Sequence, residues 1–262
     1  MDAKTFAAFR DYIYSVCGIT LGENKESLVS ARIGKRMRVL GFTDPRQYLE
    51  HVKADPQGPE LVEMLDAIST NVTSFFREPQ HFIFLERIIR DWLARGQRRF
   101  RLWCAAASSG EEPYTIAMTL QEAGALEVDT RVLCTDISTK VLALSQRGIY
   151  AENRMNGISA ERRHRYFTKD PDGWRVADTL RKPLTFTRLN LATPPYPMHG
   201  PLDVVFCRNV MIYFDNPVRQ RLLDEVNRLL KPGGYLIVGH AESLTGLLGG
   251  FRSVQPAVYQ RP

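Results

Sequence analysis

The sequence lacks the patterns that would place it in several broad classes of protein. Its 262 residues include four cysteines, and these have neither CxxC spacing nor an accompanying histidine cluster, which argues against a disulfide framework or a zinc site. No apolar run approaches the ~18 residues of a membrane span. The N-terminus, Met1-Asp2-Ala3-Lys4, has no apolar signal core. We therefore expect a cytoplasmic globular protein with no metal site and no membrane insertion.

Aromatic residues are missing from the most basic helix of the chain. The formal net charge is +6 at pH 7, which suits nucleic acid, an acidic protein surface or no particular partner. The helix predicted over 26–40 carries a basic group with no aromatic side chain interleaved, so stacking on single-stranded nucleic acid is not supported. This face is either solvated surface or a docking patch for an acidic partner. Its residues are Arg32, Lys35, Arg36 and Arg38.

A glycine-rich dinucleotide turn is also absent. A short apolar run over 100–107 predicts a buried strand, and the turn that follows contains one glycine, Gly110. The next helix opens on Glu111-Glu112-Pro113, where two acids would repel a pyrophosphate and attract a cation. S-adenosyl-L-methionine, which carries an amino group and a sulfonium but no phosphate, fits this turn better than NAD does.

A structural interpretation of the same acids stays open. Ser109 and Glu112 have the spacing of a capping box, and acids in a first helical turn are favoured by the helix dipole. Asp136 is the better ligand candidate, because it closes the second apolar strand at about the offset that ribose-binding acids have.

The chain divides into a helical part and a sheet part. Residues 1–70 show helical periodicity without a strand signal, which predicts an N-terminal helical domain. We expect 71–80 to be a linker that contributes to the cofactor site and 81–262 to be a doubly wound α/β domain. A turn at Asp170-Pro171-Asp172-Gly173 predicts an antiparallel β-subdomain inserted at about 155–188.

Polar residues follow a further buried strand over 201–207. Arg208, Asn209 and Tyr213 come just after it, and ligands of open α/β sheets lie beyond the carboxyl ends of the strands. The alternative is that Asn209 and Tyr213 only fill a turn. Later in the chain, a helix, a Lys-Pro-Gly-Gly turn at 231–234 and an apolar strand are typical of class I methyltransferases.

With these stretches in hand, the chain resembles the CheR family of chemotaxis receptor methyltransferases over nearly its whole length and in the family's order. The resemblance rests on TNVTSFFRE at 70–78, AAASSGEEPY at 105–114, TDI at 135–137, CRNVMIYF at 207–214, LKPGG at 230–234 and HAES at 240–243.

The resemblance implies a class I, Rossmann-like methyltransferase sheet with an all-helical N-terminal domain and a small inserted antiparallel β-subdomain. It implies transfer of a methyl group from S-adenosyl-L-methionine to glutamate side chains on the cytoplasmic helices of chemoreceptors, leaving S-adenosyl-L-homocysteine. Arg77 and Tyr213 would lie near the methyl group, and Asp136 would hold the ribose. The implied cofactor contacts are Asn71, Thr73, Arg77, Glu112, Asp136, Asn190, Leu191, Arg208 and Asn209.

The partners follow from the same resemblance. The basic face of the second helix becomes a candidate docking surface for the acidic receptor helices. The β-subdomain looks short beside family members that hold a receptor C-terminal pentapeptide, so we do not expect that tether. We expect a monomer and no nucleic-acid partner. The competing functions are methyl transfer to RNA or a small molecule, and a non-catalytic protein that binds the cofactor and acts by docking.

Overall fold

The N-terminal part of the molecule is a cluster of helices. The structure, a computed structural model, describes residues 1–22, 25–69, 71–244 and 246–262, so Thr70 of the predicted domain boundary lies outside the described residues. Apolar residues at helical spacing, among them Phe9, Ile13 and Ile33, are fully buried in a shared core. The helices are α1 (Ala3–Cys17), α2 (Glu26–Leu40), α3 (Pro45–Ala54) and α4 (Pro59–Ile68).

The sheet domain begins with α5 (Gln80–Ala94) and alternates strands with helices. Its larger sheet has seven strands in the order β6-β2-β1-β7-β8-β10-β9. The first five are parallel, and β10 runs antiparallel between β8 and β9. The strands are β1 (Arg99–Cys104), β2 (Asp129–Asp136), β6 (Leu184–Arg188), β7 (Leu202–Cys207), β8 (Leu230–Val238), β9 (Arg252–Gln255) and β10 (Val258–Gln260).

Helices cover both faces of this sheet, and the strands are apolar on both sides as a result. In β1, Leu102 packs in one core with residues of α5, whereas Trp103 packs in the core on the opposite face. The carboxyl ends of β1, β2 and β7 therefore meet at one edge with their side chains fixed. The other helices of the domain are α6 (Glu111–Glu122), α7 (Thr139–Arg147) and α10 (Asn216–Leu229).

A second, three-stranded antiparallel sheet lies between β2 and β6 in the chain. It has the order β3-β5-β4, and β4 and β5 form a hairpin in which Asp170 pairs with Gly173. The predicted hairpin at this turn is confirmed. The elements are β3 (Ile149–Tyr150), α8 (Ala160–Tyr166), β4 (Phe167–Asp170), β5 (Gly173–Val176) and α9 (Asp178–Arg181).

The predicted limits of the insertion, about 155–188, differ from the limits of this sheet. Ile149 and Tyr150 pair with β5 and so belong to the small sheet. The strand at 184–188 instead pairs in parallel with β2 and forms the edge of the large sheet. Its apolar residues suit either sheet, and the choice is made by tertiary pairing that strand periodicity does not encode.

The four cysteines are buried and free. Three of them lie at or near the ends of central strands, where burial raises the pKa of each thiol well above its ordinary value. They act as small apolar core residues. None of the described helices combines the length and apolar character that a membrane span requires.

Candidate cofactor and methyl-transfer site

A cavity of about 380 Å³ lies at the carboxyl edge of the large sheet. Its walls come from the ends of β1, β2, β6 and β7, from the segment after α4, and from the N-terminal helices. The predicted cofactor residues all line it, together with Tyr213. The structure therefore brings together side chains that the sequence spreads over 71–213. Their contacts with a cofactor stay a prediction.

Asp136 ends β2 on the floor of the cavity. One carboxylate oxygen accepts a hydrogen bond from the Ser108 amide at 2.8 Å, and the other accepts from the Ser138 amide at 2.9 Å. Burial raises the pKa of Asp136, and these backbone donors oppose the rise. The carboxylate is thereby fixed between the turn that follows β1 and the start of α7. It keeps lone pairs that can accept from further donors.

Glu112 belongs to a chain of buried charges. One oxygen of its carboxylate accepts from the Cys104 thiol, and the other is paired with the Arg208 guanidinium. The other terminal guanidinium nitrogen of Arg208 contacts Glu78 at 3.1 Å and donates to the Arg77 carbonyl at 2.6 Å. Arg208 is 4% exposed, so its contacts fix both the first turn of α6 and the segment that carries Arg77.

The predicted capping box at Ser109 and Glu112 is wrong. The N-cap of α6 is Gly110, which makes no side-chain cap bond. The Ser109 hydroxyl instead donates to Glu111 at 2.8 Å. Glu111 does not line the cavity; it is 1% exposed and forms an ion pair with Arg154, which also donates to the Ser109 hydroxyl. Glu111 therefore links the turn to the start of the inserted region.

The loop after β7 is held by Glu242, a residue whose role the sequence did not reveal. This buried carboxylate accepts from the backbone amides of Asn209, Val210, Met211 and Gly239 at 2.6–2.9 Å. Asn209 has φ 58°, a strained backbone conformation that these bonds stabilise. The available sequence signal was an acid four residues after Val238, which ends a late buried strand.

The N-terminal helices contribute one wall. The predicted cofactor contact Asn190 donates through its amide nitrogen to the Val16 carbonyl at 2.7 Å, and its neighbour Leu191 is 6% exposed. The Thr20 amide donates to the Tyr213 carbonyl at 2.8 Å. The segment 19–22 also lines the cavity, which the sequence did not indicate.

The four basic residues of α2 form two pairs, one held by intramolecular contacts and one exposed. Arg32 lines the cavity and donates to the Ile68 and Ser69 carbonyls at 2.6 and 3.1 Å. Arg36 is paired with Glu60 and Glu63. Lys35 and Arg38 are exposed. Of the four predicted docking cations, two are therefore occupied by intramolecular contacts, because the acidic N-terminal half of α4 and its carboxyl end pack beside α2.

The strand order and the site define a class of protein. A doubly wound sheet with an acid closing β2, an acidic helix start and no glycine-rich turn is a class I, Rossmann-like fold for S-adenosyl-L-methionine-dependent methyl transfer.

Comparison with known proteins identifies the family. The model of the CheR methyltransferase all-alpha domain matches residues 4–69, and that of the CheR methyltransferase SAM binding domain matches residues 71–259. The chain belongs to the CheR methyltransferase family.

Curated relatives match along nearly the full length of the chain. Chemotaxis protein methyltransferase 2 of Pseudomonas aeruginosa is 38% identical over 98% of this chain and 92% of its own. The chemotaxis protein methyltransferase of Borreliella burgdorferi is 36% identical over 95% and 91%. That of Escherichia coli is 37% identical over 97% and 89%.

Proposed function

We propose that this protein is a cytoplasmic S-adenosyl-L-methionine-dependent O-methyltransferase that converts glutamate side chains of chemoreceptors to glutamyl methyl esters. Membership of the CheR family supports the reaction and the substrate class. The observation that carries the proposal is the single cavity in which Asp136, Glu112, Arg77 and Tyr213 meet.

The donor set of the cavity fits the cofactor. A fixed carboxylate at Asp136 suits the two hydroxyls of a ribose. Glu112 offers negative charge for an amino group. Ile137, Leu189 and Leu191 line the same cavity and supply apolar surface for a flat base. Asn190 contributes by fixing this wall, since both ends of its amide are used by backbone groups at Val16 and Ala192.

The residues near the reaction have an orienting task. The cofactor supplies an electrophilic methyl group on a sulfonium. A glutamate carboxylate is already ionised at neutral pH, so it needs no general base to act as the nucleophile. We assign Arg77 and Tyr213 to holding that carboxylate in line and excluding water from it. The Arg77 guanidinium donates to the Val72 carbonyl at 3.0 Å, which keeps it at the cavity wall.

The partner is the acidic cytoplasmic helical region of a receptor. Lys35 and Arg38 on α2 are the exposed cations of the predicted docking face, and they favour encounter with such a surface. Arg32 and Arg36 support this face from within through their bonds to α4. We propose that the enzyme acts as a monomer without a receptor pentapeptide tether.

The test is transfer of labelled methyl from S-adenosyl-L-methionine to purified receptor cytoplasmic fragments, with and without their C-terminal tails. We expect label that is released by mild base, as a carboxyl methyl ester requires, and similar rates for both fragments. Base-stable label, or label found only in RNA, would contradict the assignment. Cofactor binding without any transfer would favour a docking protein instead.

A further inference from the structure

Two histidines and a glutamate meet outside the cofactor cavity. They are Glu78, His81 and His240, and one carboxylate or ring atom of each lies within 4.8 Å of the other two. Glu78 precedes α5, His81 lies in the first turn of that helix, and His240 follows β8. None of the three lines the cavity. Only the fold brings them together, so no spacing along the chain indicated this group when the sequence predicted no metal site.

His81 is the buried member of the group. Its side chain is 0% exposed, yet within the described part of the chain neither ring nitrogen has a hydrogen-bond partner, although buried polar atoms nearly always have one. Burial lowers the pKa of His81 to about 4, so the imidazole is neutral and has a lone pair to offer. Its Nδ1 lies 3.4 Å from Oε2 of Glu78. An unpartnered ring nitrogen beside a carboxylate indicates a ligand that both would share.

The distances in the group suit a small transition-metal ion. Such an ion binds nitrogen and oxygen at about 2.0–2.1 Å in a tetrahedral site, which places the ligand atoms about 3.4 Å apart. His81 Nδ1 and His240 Nδ1 lie 3.4 and 3.9 Å from the same Glu78 oxygen. The His240 side chain is 48% exposed, so a small rotation of its ring would close the remaining gap.

The charges around the group favour a cation. Arg208 contacts the Glu78 carboxylate at 3.1 Å, but it is also paired with Glu112. Two carboxylates therefore face one guanidinium, and one negative charge is in excess when the imidazoles are in the neutral form that binds metals. A carboxylate has enough lone pairs to accept from a guanidinium and to bind a metal ion at the same time.

The backbone already holds the three side chains in place. The His240 amide donates to Oε2 of Glu78 at 3.2 Å, and the His81 amide donates to the Glu78 carbonyl at 3.1 Å. Glu78 has φ 58°, a strained conformation that persists only where the surrounding structure fixes it. Binding of an ion would therefore require little rearrangement.

We propose that Glu78, His81 and His240 form a binding site for one divalent transition-metal ion, with Zn²⁺ as its probe. Two imidazoles and a carboxylate are typical ligands of Zn²⁺, whereas Mg²⁺ prefers oxygen ligands. The half-exposed ring of His240 gives the ion access from solvent. A bound ion would tie the segment before α5 to the loop after β8, and so stabilise the fold.

The chain offers a matched pair of histidines for the test. His240→Ala removes one ligand but keeps the backbone amide that bonds to Glu78. His199→Ala removes an exposed histidine that belongs to no such group among the described residues. The full-length protein is freed of metal with a chelator and titrated with Zn²⁺ by calorimetry and with Co²⁺ by visible absorption. Mg²⁺ is the control ion.

We expect the wild type and His199→Ala to bind one Zn²⁺ per chain with a Kd of about 1 μM or tighter, and to give the strong visible absorption of tetrahedral Co²⁺. His240→Ala should raise the Kd by about a hundredfold or more, because loss of a ligand's outer-shell partner alone costs about 10–100-fold. Zn²⁺ should raise the melting temperature of the wild type by about 5 °C and leave that of His240→Ala almost unchanged.

Three results would overturn the metal site. They are a wild type that binds no Zn²⁺, a His240→Ala variant that binds it as tightly as His199→Ala, and equal affinity for Mg²⁺. The last two would show an adventitious ion only. None of these measurements uses methyl transfer, so failure of the metal site and failure of the proposed function are observed separately.

Discussion

The turn after β1 and the loop after β7 lie at the same edge of the sheet and line the same cavity, yet they are held in different ways. The first turn is fixed at several points, by Asp136, Ser145, Tyr150 and Arg154. The second depends chiefly on Glu242, which accepts from three successive amides of the loop. Loss of any one support should therefore have a limited effect on the first turn. Loss of Glu242 should disrupt the second loop.

Close packing reinforces both arrangements. Gly110 has φ 99°, and a Cβ there would lie 2.4 Å from the Tyr150 hydroxyl. A Cβ on Gly239 would lie 2.4 Å from the Asn209 amide nitrogen. Gly110 lies in the first turn, and Gly239, just after β8, lies beside the second loop; each leaves space that a neighbouring side chain needs. The loops differ in the number of their polar supports rather than in how tightly they pack.

The comparison is tested most strongly by Glu242→Ala. This change leaves four backbone amides without their acceptor, and hydrogen bonds to a charged group contribute about 1.5–3 kcal/mol each. It also relieves the cost of burying the carboxylate, which raises the pKa of Glu242, and water can reach the two part-buried amides. We therefore expect the free energy of unfolding, measured by urea titration, to fall by about 4 kcal/mol, which is less than the sum of the four bonds. A loss below about 1 kcal/mol would show that the loop has other supports.

Glu242→Gln sharpens the same result. Glutamine retains one acceptor oxygen but places donor hydrogens against amide donors, so we expect it to be less stable than the wild type and more stable than the alanine variant. Methyl transfer should be impaired in both variants, because Asn209 and Tyr213 are carried by the loop. Equal stability of the two variants would argue against a role for the remaining acceptor.

A smaller effect is expected when one support of the first turn is removed in Asp136→Ala. The protein should stay folded, because the other supports remain. Loss of the carboxylate should weaken S-adenosyl-L-methionine binding by about 3 kcal/mol, or about a hundredfold in Kd, by calorimetry. Asp136→Asn retains the shape of the side chain, so its cofactor Kd should fall between those of the wild type and Asp136→Ala. Unchanged affinity would contradict the ribose assignment.

The smallest effect is expected for Arg154→Ala. Glu111 is then buried without its cation, although the Ser109 hydroxyl still donates to it. We expect unfolding free energy to fall by about 2 kcal/mol, with a cofactor Kd that changes less than in Asp136→Ala. The double variant Arg154→Ala/Glu111→Gln should recover part of the loss. Failure to recover would show that the ion pair is not the cause.

The two loops also show how far the sequence could lead. The strand, turn, helix and closing acid over 100–136 follow a local pattern, and the fold confirms them. The partners of Glu111, Arg36 and Glu242 are set by tertiary packing, so no spacing rule indicated them. The capping box failed for a local reason: Gly110 begins the helix in a left-handed conformation, and the Ser109 hydroxyl donates to Glu111.

The N-terminal helices form part of the cavity as well as a helical domain of their own. Val16 and Thr20 bond to the sheet domain at Asn190 and Tyr213, and Tyr14 bonds to Asp215 at 2.7 Å. A chimera that exchanges the helical domain between two relatives would therefore also exchange one wall of the cofactor cavity. Receptor preference and cofactor affinity should be inherited together in such hybrids, unless the junction is placed so that Val16, Thr20 and their partners come from the same parent.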